Sequence, residues 1–402
     1  MTLSSKEIFR SLSTNKWITP VFLLIVALVV SIHSISLGVN NFWGGHYTHY
    51  NNYVIFKNSF SHLIHNQNLY SLYLDIYADQ FKYSPSFALS MVLFYYLPDS
   101  LGLIMWNSIN ILVLYYSFLT FTSIDPSKRF WLILFVLFEL ILSTQNAQSN
   151  ALLAGLTILA FHSFEKGRNA VATLFILIGA FIKIYSVIGL LLILFYPRKA
   201  YSAISSVAWT IVLFCLPLLV VNLHWLTWQY HNWYESLIAD KSNSIGMSIF
   251  AWTRLISASN YLTVLTFLAG AILLLFPLVK RKQWENYGYR LKYLALLLIW
   301  IVVFNHKAES PTYIIAMTGI GIWYFSSSRV LMHKILIFMC LFFTSIWFTD
   351  IVPHSIRKNM VEAGLIKSFM PIIMLFLIFF NLILKRRLMG FKTNPKERKL
   401  IK

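Results

Sequence analysis

Of the 402 residues, 58% are hydrophobic and only 12% are charged, with a mean hydropathy of +0.66. A soluble chain carries roughly 25% charged residues because much of its surface stays wet. This composition therefore excludes a soluble enzyme, a disordered chain and a small disulfide scaffold, and it leaves a polytopic membrane protein. The net charge of +19 would suggest nucleic acid in a soluble chain; in a membrane chain it is explained first by Lys and Arg in cytoplasmic loops, and no nucleic-acid partner is expected.

Lys6, Arg10 and Lys16 precede an apolar run at 17–38 without a small-residue cleavage site, so a retained first span is predicted. Further runs follow at 101–122, 130–145, 149–164, 169–182, 185–197, 201–223, 260–279, 291–304, 311–326, 331–349 and 366–384, giving twelve candidate spans. Those at 169–182 and 185–197 read as half-helices. A run at 84–97 is ambiguous between a span and an interfacial helix, and charge decides. If 84–97 does not cross, one face receives the N-terminus (1–16), the loops at 125–129, 165–168, 198–199, 280–292 and 329–334, and the basic tail 385–402. That face then holds 24 of the 33 basic residues. The other holds nine: Lys57, Lys82, Lys183, Lys241, Arg254, Lys307, Arg357, Lys358 and Lys367. By the positive-inside rule both termini are cytoplasmic and 84–97 lies along the outer interface. The whole chain, 1–402, reads as a single integral-membrane domain. Its first outer loop, 39–100, is predicted to be ordered, with Tyr53, Ile55, Phe56, Phe60, Leu63 and Ile64 on an amphipathic helix lying on the membrane. Cys215 and Cys340 sit in apolar runs and read as packing residues.

Four polar features fall on the outer side of this map. His46-Tyr47-Thr48-His49-Tyr50-Asn51-Asn52-Tyr53 follows the first span. Gln145-Asn146-Ala147-Gln148-Ser149-Asn150 is an amide cluster between two apolar runs. Lys183 and Tyr185 lie midway through an apolar stretch. Asn305-His306-Lys307-Ala308-Glu309-Ser310 is a late loop. The amides also suit turns and caps, and Lys183 is long enough to snorkel. A charge in such surroundings is nevertheless a functional hypothesis by default. Glu139, alone in the run 130–145, falls under the same rule with no role suggested by its neighbours. His46, His49, His62 and His65 match no strong metal-ligand spacing. Lys183, Lys307 and Arg254 provide positive charge, the amides suit hydroxyls, Tyr and Trp give flat faces for sugars, and His306 and Glu309 are groups able to move a proton. A lipid-linked phosphate with a sugar head fits this set.

Here the chain resembles a family. Asn52-Tyr53-Val54-Ile55-Phe56 followed by Leu69-Tyr70, then Tyr83-Ser84-Pro85-Ser86-Phe87-Ala88-Leu89, then Gln148 and Asn150 ahead of Leu152-Leu153, then Lys183-Ile184-Tyr185-Ser186, are similar in order to motifs of polyprenol-phosphate-mannose-dependent mannosyltransferases, glycosyltransferase family 87 of the GT-C superfamily. The late loop, 306–313, matches in position better than in letters. The resemblance implies an all-α GT-C-like bundle of about twelve transmembrane helices with interfacial helices in the first outer loop. It implies transfer of mannose or a similar hexose from a polyprenyl-phosphate donor to a glycolipid or glycan acceptor at the outer face of a bacterial inner membrane. No cofactor or metal is implied, and membrane lipids are the other partners. The family's outer-loop Asp is replaced by Asn52, which takes no proton at neutral pH. Asn52 then orients the acceptor, with His306 or Glu309 as the base. Lys183, supported by Lys307 and Arg254, holds the donor phosphate. His49, Tyr83, Gln145, Asn146, Gln148, Asn150 and Tyr185 bind sugar or acceptor. The rival reading is a flippase or transporter of a lipid-linked sugar, or a transferase-like protein that only binds.

Overall fold

The computed structural model describes residues 17–42, 44–239, 246–257, 259–327, 330–349, 351–353 and 365–384. The segments 1–16 and 385–402, with Lys241, Arg357 and Lys358, lie outside the described residues. In chain order the helices are α1 (Ile18–Ser36), α2 (Asn51–Ile64), α3 (Pro85–Ser90), α4 (Val92–Tyr95), α5 (Asp99–Leu119), α6 (Pro126–Gln145), α7 (Asn150–Glu165), α8 (Asn169–Ile182), α9 (Lys199–Cys215), α10 (Leu223–Ala239), α11 (Ile249–Ile256), α12 (Asn260–Leu275), α13 (Tyr287–Val303), α14 (Tyr313–Ser326), α15 (Leu331–Cys340) and α16 (Leu365–Ile383). A 3-10 helix, Ile184–Phe195, follows α8. Strands β1 (Val39–Phe42) and β2 (Gly45–Thr48) form an antiparallel hairpin between α1 and α2.

All twelve apolar runs are helical, as hydropathy this continuous dictates once backbone groups must be satisfied without water. Among the described residues six are long and apolar enough to cross a membrane by themselves: Ile18–Ser36, Asp99–Leu119, Lys199–Leu219, Asn260–Val279, Leu331–Phe348 and Leu365–Ile383. The other runs form shorter helices. Helices α13, beyond its first turns with Arg290 and Lys292, and α14 are largely apolar and buried nearly end to end, so they form the centre. The spans Lys199–Leu219 and Leu331–Phe348 are each only 22% buried, which puts them at the rim. The run 84–97 is split into α3 and α4, of six and four residues. At about 1.5 Å per residue neither reaches across a ~30 Å hydrocarbon layer.

The bundle has two chemically different ends. At the basic end, Arg290 donates to both oxygens of Glu165 at 2.6 and 2.7 Å, Tyr196 donates to Glu165, and Asn169 donates to Pro197 O at 3.0 Å. These bonds gather the loops at 165–168, 196–199 and 280–290. At the polar end, Asn52 bonds Asn146, Ser84 bonds Phe181, and Met247 bonds Ala308.

Three sequence readings are corrected. Helix α2 exists, but Tyr53, Ile55, Phe56, Phe60 and Leu63 are covered by protein and not by lipid. Phe56 packs edge-on against Tyr83, Phe87 and Trp106 at 4.9, 5.2 and 5.6 Å. An apolar stripe specifies burial without specifying what does the burying. Lys367, counted from the sequence among the charges of the outer face, is buried: it lies in the first turn of α16, 0% exposed, with Nζ 2.7 Å from Glu139 Oε1. Of the cysteines, Cys340 is buried as expected and Cys215 is exposed.

Candidate active site

The amide segment is shaped by a tight reversal between two helices. Helix α6 ends at Gln145, and Ala147 adopts a left-handed conformation, φ +48°. The turn is closed by Ala147 N–H to Thr144 O and Gln148 N–H to Ser143 O, at 2.9 and 3.0 Å. Trp106 Nε1–H fixes it from α5 through Ala147 O at 2.8 Å. A non-glycine residue held at positive φ is strain that the surroundings must over-determine, and such strain clusters at functional sites. Its effect here is to place Gln148 just ahead of α7 and Asn150 at its first residue, both buried.

Lys183 reaches them from the neighbouring hairpin. Helix α8 stops at Ile182 and Lys183 is extended (φ −134°, ψ 116°) before the 3-10 helix begins. Its Nζ donates to Gln148 Oε1 and to Asn150 Oδ1, each at 2.9 Å. Tyr185 OH donates to the same Asn150 oxygen at 3.2 Å. Asn150 Nδ2 is left buried with no acceptor among the described residues. Buried donors are nearly always satisfied; this one is among several buried side-chain atoms without a partner among the described residues, and it leaves a hydrogen-bond donor open beside Lys183. Ser84 Oγ–H donates to Phe181 O at 2.6 Å, which draws Tyr83 alongside, its ring centroid 6.0 Å from Lys183 Nζ. Burial first, then the negative charge of Glu309, pushes the Tyr83 phenol well above its usual range. It therefore stays a neutral hydrogen-bonding face.

The segment that follows α1 folds onto this cluster. Asn52 Nδ2–H donates to Asn146 O at 2.9 Å. That contact needs a donor; an ionised carboxylate at this position would face a carbonyl oxygen. Gln145 and Asn146 are half-buried beside the turn. His49 lies farther back, on the hairpin side, with its Nε2 3.2 Å from Asn40 Nδ2. His62 stacks on Tyr73 with ring centroids 3.8 Å apart, inside the loop core.

The late loop is held by main chain. Gly246 N–H donates to His306 O at 3.2 Å and Met247 N–H to Ala308 O at 2.7 Å, while Tyr313 OH donates to Met247 O. A Cβ on Gly246 would stand 2.2 Å from His306 O, so only glycine permits the approach. Glu309 is exposed, and its backbone N–H donates to Thr312 Oγ1 at 3.3 Å. Its carboxylate acts electrostatically on Lys183, Tyr83 and Tyr185, which puts it on the cluster's side of the bundle. His306 and Lys307 are half-buried in the same loop. Arg254 is exposed on α11, and no described contact joins it to the cluster. Sequence reasoning missed Trp106, Ser84 and Gly246 as builders of the site, because each acts through a backbone contact with a distant segment. Ser84 is the N-cap of α3, its Oγ accepting from Phe87 N–H, with Pro85 in the first turn.

These residues lie largely within a segment of known kind. The sequence model of glycosyltransferase family 87 matches residues 81–328, taking in the amide turn, Lys183 and the late loop, and beginning after Asn52. No curated protein matches the chain. With more than half of its length matched and an all-helical membrane bundle around the site, the chain belongs to glycosyltransferase family 87, whose members are membrane glycosyltransferases.

Proposed function

We propose that the chain transfers mannose or a similar hexose from a polyprenyl-phosphate carrier to a glycolipid or glycan acceptor. The polar end of the bundle is the extracytoplasmic one, the termini are cytoplasmic, and the remaining short helices complete about twelve crossings of a bacterial inner membrane. The observation that carries this reading is Lys183, a cation held by two neutral amides beside a buried, unpartnered Asn150 Nδ2. An anionic phosphate oxygen answers both needs. In the reaction the acceptor oxygen attacks the anomeric carbon and the bond from that carbon to the phosphate oxygen breaks. The electron pair leaves with the lipid phosphate and is stabilised by Lys183, with Lys307 and Arg254 adding to the field. The acceptor proton passes to Glu309 or His306. Asn52 holds Asn146 O and so fixes the rim of the acceptor side; Gln145, Asn146, Gln148, Tyr83, Tyr185 and His49 present hydrogen-bonding and flat surfaces to the sugars. Purified protein in detergent, given radiolabelled polyprenyl-phosphate-mannose, should release polyprenyl phosphate and lose that activity in Lys183→Ala.

One observation favours a second reading. The family's acid is an amide here, already committed to a carbonyl at 2.9 Å. A transferase scaffold kept for binding or flipping a lipid-linked sugar would show no donor turnover, would move the same lipid in a vesicle flipping assay, and would gain turnover from Asn52→Asp.

A further inference from the structure

At the basic end, opposite Lys183, a cavity of about 440 Å³ opens between two turns and is lined by Arg168, Asn169, Val171, Arg198 and Tyr201 among others. The distance along α8 from this end to Lys183 is roughly 20 Å, at 1.5 Å per residue. The turns are built to present the two arginines. Gly167 closes α7 in a left-handed conformation, φ +68°, and Arg168 N–H returns to Ser163 O at 2.8 Å. Arg198 is itself left-handed, φ +58°, at the start of α9. A bulky residue in that region is an outlier that the fold has to hold. Asn169, 3% exposed, ties the two turns together, donating to Pro197 O at 3.0 Å and Ser202 Oγ at 2.8 Å.

The charges around the cavity do not cancel. The adjacent acid, Glu165, is fully engaged by Arg290 and Tyr196. Lys199 lies over the Trp284 ring at 4.8 Å. Among the described residues no carboxylate pairs with Arg168 or Arg198. Helices α8 and α9 both begin here, so their free N–H groups add positive potential. Arg198 precedes the span Lys199–Leu219, which is only 22% buried. From the cavity a stripe of Tyr201, Ile204, Val207 and Ile211, 52 to 68% exposed, runs down that span. Such a bare apolar stripe at a membrane span faces hydrocarbon.

We propose that this cavity binds an anionic phosphate-bearing lipid, with the phosphate between Arg168 and Arg198 and an acyl chain along the Tyr201–Ile211 stripe. The arginines select net negative headgroups, and the stripe selects a lipid over a free anion. The site is separate from the Lys183 cluster and stands whether or not the transferase reading holds.

The test is lipid retention by the full chain in detergent, read by native mass spectrometry. Phosphatidylglycerol is the probe, phosphatidylcholine the neutral comparator and inorganic phosphate the competitor. The double variant Arg168→Gln/Arg198→Gln should retain about tenfold less phosphatidylglycerol, with phosphatidylcholine unchanged. Arg168→Gln/Arg198→Gly, which relieves the left-handed position while removing the same charges, should give the same loss. Lys128→Gln, one charge removed elsewhere at this end, should change nothing. Unchanged retention in both double variants, an equal loss in Lys128→Gln, or displacement of the lipid by millimolar phosphate would each overturn the proposal.

Discussion

Two lysines sit among apolar helices and are treated in opposite ways. Lys367 meets a formal charge: its Nζ is 2.7 Å from Glu139 Oε1, the two side chains are 0% and 1% exposed, and the rings of Tyr313 and Phe348 close over it at 5.4 and 4.8 Å. Lys183 meets only neutral oxygens, from Gln148 and Asn150, and remains half-buried. Its negative neighbour, Glu309, stands off on an exposed loop and acts through space. The first arrangement pairs its two charges and is sealed, with Glu139 Oε2 left without a hydrogen-bond partner among the described residues, and its service is to bind α16 to α6. The second keeps a whole positive charge with hydrogen-bonding capacity beside it. A buried ion needs a counter-ion; where the protein withholds one, a ligand is the natural source.

This contrast can be broken at several points, the largest effect first. Glu309→Gln removes the distant carboxylate. Under the proposed chemistry donor turnover should fall by about 10²–10⁴-fold, with donor affinity and melting temperature nearly unchanged; full turnover in this variant and in His306→Gln would remove the late loop from the reaction. Lys367→Met leaves Glu139 buried without its partner and should cost about 3–5 kcal/mol of stability. Thermal melting in detergent reads that loss, and the double variant Glu139→Met/Lys367→Met should recover most of it. The mirror experiment is Lys183→Ala, which should leave melting intact and weaken polyprenyl-phosphate-mannose binding by about 2–5 kcal/mol. Equal affinity in wild type and variant would reduce Lys183 to a helix-end lysine.

Finer substitutions sharpen the contrast. Gln148→Glu gives Lys183 the formal partner that Lys367 already has, so donor affinity should drop about tenfold while stability holds or rises. An increase in affinity would refute the idea that the missing counter-charge belongs to the ligand. His62 supplies the weakest case, a buried base that the fold keeps uncharged. Burial first, then the nearby His65, lowers its pKa from 6.5 to about 4. The neutral form is the folded one, so this contribution is whole above about pH 6.5 and is lost as pH falls toward 4. Amide exchange in α2 should accelerate over that window, and His62→Phe should flatten the dependence.

Much of the fold is legible in the sequence because membrane helices are announced by long apolar runs, and the site is partly legible because its motif residues are polar in apolar company. Gln148, Asn150 and Lys183 are read as separate features and prove to be one hydrogen-bonded cluster. What stays hidden is pairing across distance. Glu139 and Lys367 are 228 positions apart, and each looks like a lone charge. Two solitary opposite charges in apolar runs were nonetheless a usable signal. The β1–β2 hairpin carries no alternating pattern that announces it, with Asn40 and Asn41 inside the first strand. The left-handed positions of Ala147 and Arg198 are set by neighbouring segments, and neither residue type advertises them.

The contact between Gly246 and the late loop has a consequence for how this protein can change. The loop's path is set by main-chain bonds from Gly246 and Met247, with Gly246 pressed against His306 O. None of those bonds depends on which side chains the loop carries. A substitution at 306, 307 or 309 therefore leaves these main-chain bonds in place to guide the loop. Under the proposed chemistry, such a scaffold would let the proton-handling group move from one position to another on the same path, whereas a side chain at position 246 would press on His306 O and displace the loop.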